Sequence, residues 1–402
     1  MKYSTKSSMN SKITVFTVSV FLLLIVKVKA QEIQLETITI SNGLASPQVM
    51  DVKQDSYGLI WLATGNGVQR YDGYTWKNIR NSIGNPNTLQ NNVTFDIEED
   101  LNHDLWIAND MGVTKYDRSS NTITNYNFEI IFDLALGSGR TFNILADSQG
   151  RIWATTAAKE IVLYDPQNDT WVLAPYEHLE GIKSEQNGIS FPIIEDKEGG
   201  IWAGSSTYGL MNFPKEGNGF KPIEFSQFND LNSTINNISA LYFDKDGILW
   251  ITSRLEIQNY NLATKELRIL KEYDYALEDV YSSLNSIKED RDGNIWILNN
   301  FRGVLKFEGN TDSFQEVLVP GNRKINSGGW THRSTHMLVD SSGIIWFGSL
   351  SNGLFKYDPI NKPFKFYSNQ PEDPNAISPG GVYGLYASSI NQSTKRIACQ
   401  MA

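Results

Sequence analysis

Few residues of this 402-residue chain stand in patterns that could do chemistry. His332 and His336, in the stretch HRSTH, are four apart, a spacing that on a helix turns two imidazoles toward one metal ion. The helical zinc motif also needs a Glu after the first His. Arg333 stands there instead, and the flanking residues alternate as a strand would, so loop and strand histidines are expected and no metal or cofactor. Carboxylates are plentiful, but paired-carboxylate hydrolysis needs two of them across one cleft, and seven Asp residues have a turn role described below. The sequence holds neither a Gly-x-Ser-x-Gly stretch nor a phosphate loop. Cys399 is the one cysteine, which rules out an internal disulfide and a cysteine-type zinc site. What remains is recognition. Arg254 and Arg302 carry planar guanidinium groups suited to an anionic or hydroxyl-rich ligand. Tyr208 offers an amphipathic ring, and Asn66, Asp110, Trp330 and His332 are further candidates for contact.

These residues could meet only if the elements carrying them are arranged by a repeat, and the sequence has one. Trp61, Trp106, Trp153, Trp202, Trp250, Trp296 and Trp346 recur at intervals of 45 to 50 residues. Periods of this size signal a repeat architecture. Six positions before each Trp stands an Asp, from Asp55 to Asp340, and a Gly follows that Asp by three positions in every copy but the second, where His103 takes its place. Asp-x-x-Gly is turn chemistry, because the Asp side chain bonds nearby backbone N–H groups and Gly accepts positive φ. The run around each Trp, such as IWL at 60 to 62, is apolar without alternation, which predicts a strand buried on both faces. A third strand with an aromatic residue follows, as in Val68 to Tyr71. Weaker outer segments such as TWKNIR and FKPIEFS complete four strands per repeat. The pattern predicts an all-β, seven-bladed β-propeller of four-stranded antiparallel blades. The orphan segment ETITI, residues 36 to 40, predicts closure of the ring by an N-terminal outer strand in the last blade. The seven repeat tryptophans are expected between blades, and Trp76 and Trp171, on outer strands, are expected to be partly exposed.

Outside the repeat, residues 1 to 30 read as an export signal: Lys2, Lys6 and Lys12, the run ITVFTVSVFLLLIV, and small residues before Gln31. The propeller is expected over 31 to 362, and 363 to 402 as the start of a second, truncated and poorly ordered one. DPNAISPGGVYGLYASS, from Asp373, repeats the entry into the second copy, but Ser389 stands where its Asp belongs. A formal net charge of −10 argues against nucleic acid, whose phosphates need clustered Lys and Arg.

DSYGLIWLATGNGVQRYDG, residues 55 to 73, resembles the two-component regulator propeller repeat almost position by position, and the resemblance extends from 37 to about 388. It implies the periplasmic sensor region of a hybrid two-component histidine kinase from Bacteroidetes, detecting a small ligand such as a glycan-derived oligosaccharide for transcriptional control. Its partners would be a second propeller or another sensor part, with a homodimer in the parent sensor; membrane and kinase segments would lie in C-terminal parts that this chain does not carry. The chain itself is expected to be no enzyme. The alternative is a stand-alone propeller lyase or hydrolase, or a protein-interaction platform. The named candidate residues fall on turns and connections of one face, which vary among the copies where the Asp turns do not.

Overall fold

The computed structural model describes residues 35–158, 161–176, 192–205, 209–223, 238–253, 256–272, 284–299, 303–309, 311–317 and 336–359, with the strands Gly384–Ser388 and Arg396–Gln400. Seven four-stranded antiparallel sheets form a ring: blade 1 (49–79), blade 2 (94–127), blade 3 (141–173), blade 4 (193–222), blade 5 (238–272), blade 6 (284–317) and blade 7 (337–357). Each of the first six takes four consecutive strands. Blade 7 takes three and borrows Glu36–Ile38 as its outermost, with Ile38 opposite Leu354 and Glu36 opposite Lys356. The closing strand thus removes the edge that an open ring would expose. The seam is also bonded on the inside, where the His336 N–H donates to Met50 O at 2.9 Å and the Val49 N–H to Ser349 O at 2.8 Å. The chain divides into Met1–Asp358 and Pro359–Ala402; in the second unit Gly384–Ser388 pairs antiparallel with Arg396–Gln400. The export-signal segment lies outside the described residues, as does most of 363 to 402.

Each Asp turn is built alike. One carboxylate oxygen accepts the backbone N–H groups two and four residues on, at 2.8–3.0 Å in all seven copies. The other accepts the indole N–H of the Trp six residues on, at 2.6–2.9 Å. The hairpin folds back, so two residues far apart along the strands meet at its base, and the buried indole N–H is satisfied. The turn glycines have φ of +80° to +90°, and His103 holds the equivalent position at +67°. This left-handed geometry costs a non-Gly residue, and His103 regains part of that cost by bonding Ser56 Oγ of blade 1 through Nδ1 at 3.0 Å.

The indoles pack across blade boundaries against the third-strand aromatic of the next blade: Trp106 on Tyr164, Trp153 on Phe213, Trp250 on Phe307, with centroids 4.8, 5.3 and 5.1 Å apart. Trp76 is half-buried, stacked on Tyr71. Trp171 is a correction: it is only 2% exposed. It lies on the outer strand of blade 3, but blade 2 ends in a one-turn helix, α1 (Phe128–Ile131), whose Phe128 packs on Trp171 at 5.2 Å while Trp106 meets it edge-on at 5.9 Å. A connection between blades therefore covers a residue that an outer strand would otherwise leave open.

Candidate functional site in the central channel

The innermost strands of all seven blades surround a channel cavity of about 290 Å³. Because alternate residues of a strand share a face, each blade supplies two levels of lining. The level four positions before the turn Asp comprises Asp51, Asp96, Asn143, Pro192, Ala240, Ser286 and His336; the level two positions before it comprises Lys53, Glu98, Leu145, Ile194, Tyr242, Lys288 and Leu338. Polar and apolar residues are not spread evenly. Charge collects on blades 6, 7, 1 and 2, which are contiguous through the closing seam, while blades 3 to 5 present mainly apolar groups. In blades 1, 2, 3, 5 and 6 the strand register shifts just before the first-level residue. Such bulges re-aim the side chain that follows.

His336, Asp51 and Asp96 meet at the first level. His336 Nδ1 lies 2.9 Å from Asp51 Oδ1 and 3.8 Å from Asp96 Oδ1. The second oxygen of each carboxylate is held by the following blade: Asp51 Oδ2 accepts the Ile97 N–H at 3.2 Å and Asp96 Oδ2 the Ile144 N–H at 2.8 Å. One level down, Lys53 Nζ pairs with Glu98 at 2.7 Å, and Lys288 Nζ stands 5.7 Å from the Tyr242 ring.

Ionisation follows from this crowding. Burial pushes the Asp96 carboxyl up to about 8, helped by the adjacent Asp51 charge and only partly opposed by His336. Asp51 suffers the same burial, but its hydrogen bond to His336 and the imidazolium charge more than offset it, leaving it below the ordinary value. His336 is raised, since Asp51 outweighs the burial that would lower it. Burial, with the charge of Lys53, lowers Lys288. The imidazole retains 23% exposure, toward the channel cavity that it lines. The cluster can exchange protons and can bind cations or hydrogen-bonding groups.

Of the residues marked in the sequence, two are described. Asn66 sits in the turn after the Trp strand of blade 1, where its side-chain amide donates to Ala45 O at 3.1 Å, a structural bond. Asp110, in the equivalent turn of blade 2, is ion-paired with Arg140. Arg254, Arg302, Tyr208, Trp330 and His332 lie outside the described residues. His336 stands directly before the first strand of blade 7, Met337–Val339, while His332 lies outside the described residues. The channel residues were missed. Their signal was the variable column directly before the apolar first-strand position, which reads Asp, Asp, Asn, Pro, Ala, Ser, His down the copies.

A family model described as "Two component regulator propeller" matches residues 232–254, the first two strands of blade 5 and the approach to them. This segment of the ring is thus similar to the two-component regulator propeller repeat. Histidine kinase P4 of Formosa agariphila is 36% identical over 72 residues, 17% of this propeller chain and 5% of that kinase. The extracellular domain of a putative hybrid two-component system from B. thetaiotaomicron has the same fold, at a TM-score of 0.64 and 19% identity over 88% of this chain and 45% of that domain. Virginiamycin B lyase from Staphylococcus aureus, crystallised with quinupristin, shares the fold at a TM-score of 0.59 and 11% identity, covering 81% of this chain and 99% of the lyase. This chain therefore spans less than half the length of these two-component relatives. Among its described residues no helix is long and apolar enough to cross a membrane.

Proposed function

We propose that this chain is an extracytoplasmic ligand-sensing propeller of a hybrid two-component system, exported by its first 30 residues and acting in the periplasm. The observation that carries the reading is the regulator-propeller match at 232–254, on a ring whose loops of one face differ from blade to blade. A small polar ligand, an oligosaccharide from glycan breakdown being the favoured class, would bind at that face, with Arg254 and Arg302 of adjacent blades holding its hydroxyl or anionic groups. Residues 363 to 402 would begin a second propeller. The test is calorimetric titration of an oligosaccharide panel into wild type and the Arg254→Ala, Arg302→Ala double variant. Binding that weakens in the variant supports the site; equal binding refutes it. The purified chain is expected to show no autophosphorylation with labelled ATP.

A second reading, a propeller lyase, draws on the shared fold with virginiamycin B lyase and on the proton-exchanging Asp96–His336 cluster. It requires a product. New reducing or unsaturated ends released from the same oligosaccharides would favour it over sensing.

A further inference from the structure

We propose that Asp51, Asp96 and His336 form a binding site for a divalent transition-metal ion, Zn²⁺ in the first instance, at the first level of the channel. The inference is independent of the sensor role. Three features support it.

The first is level. The three residues occupy the same position of three successive repeats around the ring, four before the turn Asp of blades 7, 1 and 2, so the repeat itself brings their side chains to one height in the channel. One ligand atom from each, Nδ1 of His336 and a carboxylate oxygen of each Asp, lies within 4.8 Å of the other two. An ion held at about 2.0–2.2 Å from nitrogen and oxygen ligands places them about 3.0–3.5 Å apart. The observed 2.9 and 3.8 Å separations from Nδ1 bracket that range.

The second is anchoring. Asp96 has its other oxygen fixed by the Ile144 N–H of the following blade at 2.8 Å, and the Ile97 N–H is shared between Asp51 Oδ2 at 3.2 Å and Asp96 Oδ1 at 2.9 Å, which holds the two carboxyl groups side by side facing the imidazole. Outer bonds of this kind orient metal ligands and account for much of a site's affinity. They come from rigid innermost strands, not from loops.

The third is charge and space. Two buried carboxyl groups beside one another repel when both are ionised, and a divalent cation between them relieves that repulsion. Neither nearby lysine fills the role. Lys53 is bonded to Glu98, and Lys288 sits one level down against Tyr242. The adjoining cavity leaves room for water or a ligand group to complete the coordination. One imidazole with two carboxylates is a donor set suited to Zn²⁺, with Mn²⁺ as the harder competitor.

The test uses the full chain after treatment with a chelator. Zn²⁺ and, separately, Mn²⁺ are titrated by calorimetry, and thermal unfolding is followed with and without each ion. Wild type is expected to bind Zn²⁺ with one-to-one stoichiometry and to melt at a higher temperature in its presence, since a ligand of the folded state alone stabilises that state. Asp96→Asn keeps the acceptor for the Ile144 N–H and is expected to fold normally, yet to lose affinity at least about tenfold. His336→Gln should do the same, and Lys288→Met, which removes a positive charge one level down, should tighten binding. The proposal is overturned by a wild-type dissociation constant above about 1 mM, by no metal-induced rise in melting temperature, or by Asp96→Asn and His336→Gln variants that bind as wild type does, which would place the ion elsewhere.

Discussion

Replacing Trp250 and Trp171 by Phe should have unequal costs, although both indoles are buried. Trp250 is 4% exposed; its N–H donates to the Asp244 carboxylate at 2.8 Å and its ring meets Phe307 edge-on. Phe in its place removes a hydrogen bond to a charged acceptor, about 1.5–3 kcal/mol, and leaves a small void costing about 1 kcal/mol more. The sum is about 2.5–4 kcal/mol. Trp171 loses a similar volume, but its indole N–H finds no acceptor among the described residues. Deleting an unsatisfied buried donor returns about 1–3 kcal/mol of desolvation cost, so Trp171→Phe should be near neutral. The assay is urea unfolding followed by far-UV circular dichroism, with equal denaturant slopes required for comparison. A Trp171→Phe loss as large as that of Trp250→Phe would refute the assignment of the Asp–Trp bond as a separate stabilising contribution.

Trp250→Ala should cost about 3–5 kcal/mol, and Trp76→Ala, from a half-buried ring stacked on Tyr71, about 1–2 kcal/mol; equal losses in urea titration would contradict the register. Deleting residues 31–42 takes away the strand that completes blade 7 and should abolish cooperative unfolding in calorimetry. Gln54→Ala removes the acceptor that the Ser341 N–H reaches across the seam at 2.7 Å and should cost about 0.5–1.5 kcal/mol by the same measurement as the tryptophan variants. Burial acts to raise Asp340, but the Ser342 hydroxyl, the Trp346 indole and two backbone N–H groups hold it below 3.8. A depressed carboxyl stabilises the fold above its unfolded value, and that contribution is lost as pH falls through the folded one. Trp346→Phe removes one holding bond, so its stability should decline less steeply below about pH 4 than that of wild type; an identical acid slope would count against this bond.

The blade was legible because its determinants are local. An Asp, a Gly three residues on and a Trp three beyond that lie within one hairpin, so their spacing reports its geometry directly, and seven copies identify the ring. The closing strand was legible for a related reason, since ETITI had no inner partners of its own. Other features depended on how separate segments meet. The Asp was read as a turn former, and its bond to the Trp indole emerged only when the hairpin folded back on itself. Trp171 was misjudged because its cover, Phe128, comes from the end of a different blade. Asp51 and Asp96 are 45 residues apart and His336 is 240 further on. Their shared repeat position puts them at one level, and the sequence by itself determines that. Ring closure, which sets blade 7 beside blade 1, decides that they touch. Contact across that seam buries two carboxylates beside one imidazole and shifts their proton affinities, because desolvation and charge act through space and not along the chain.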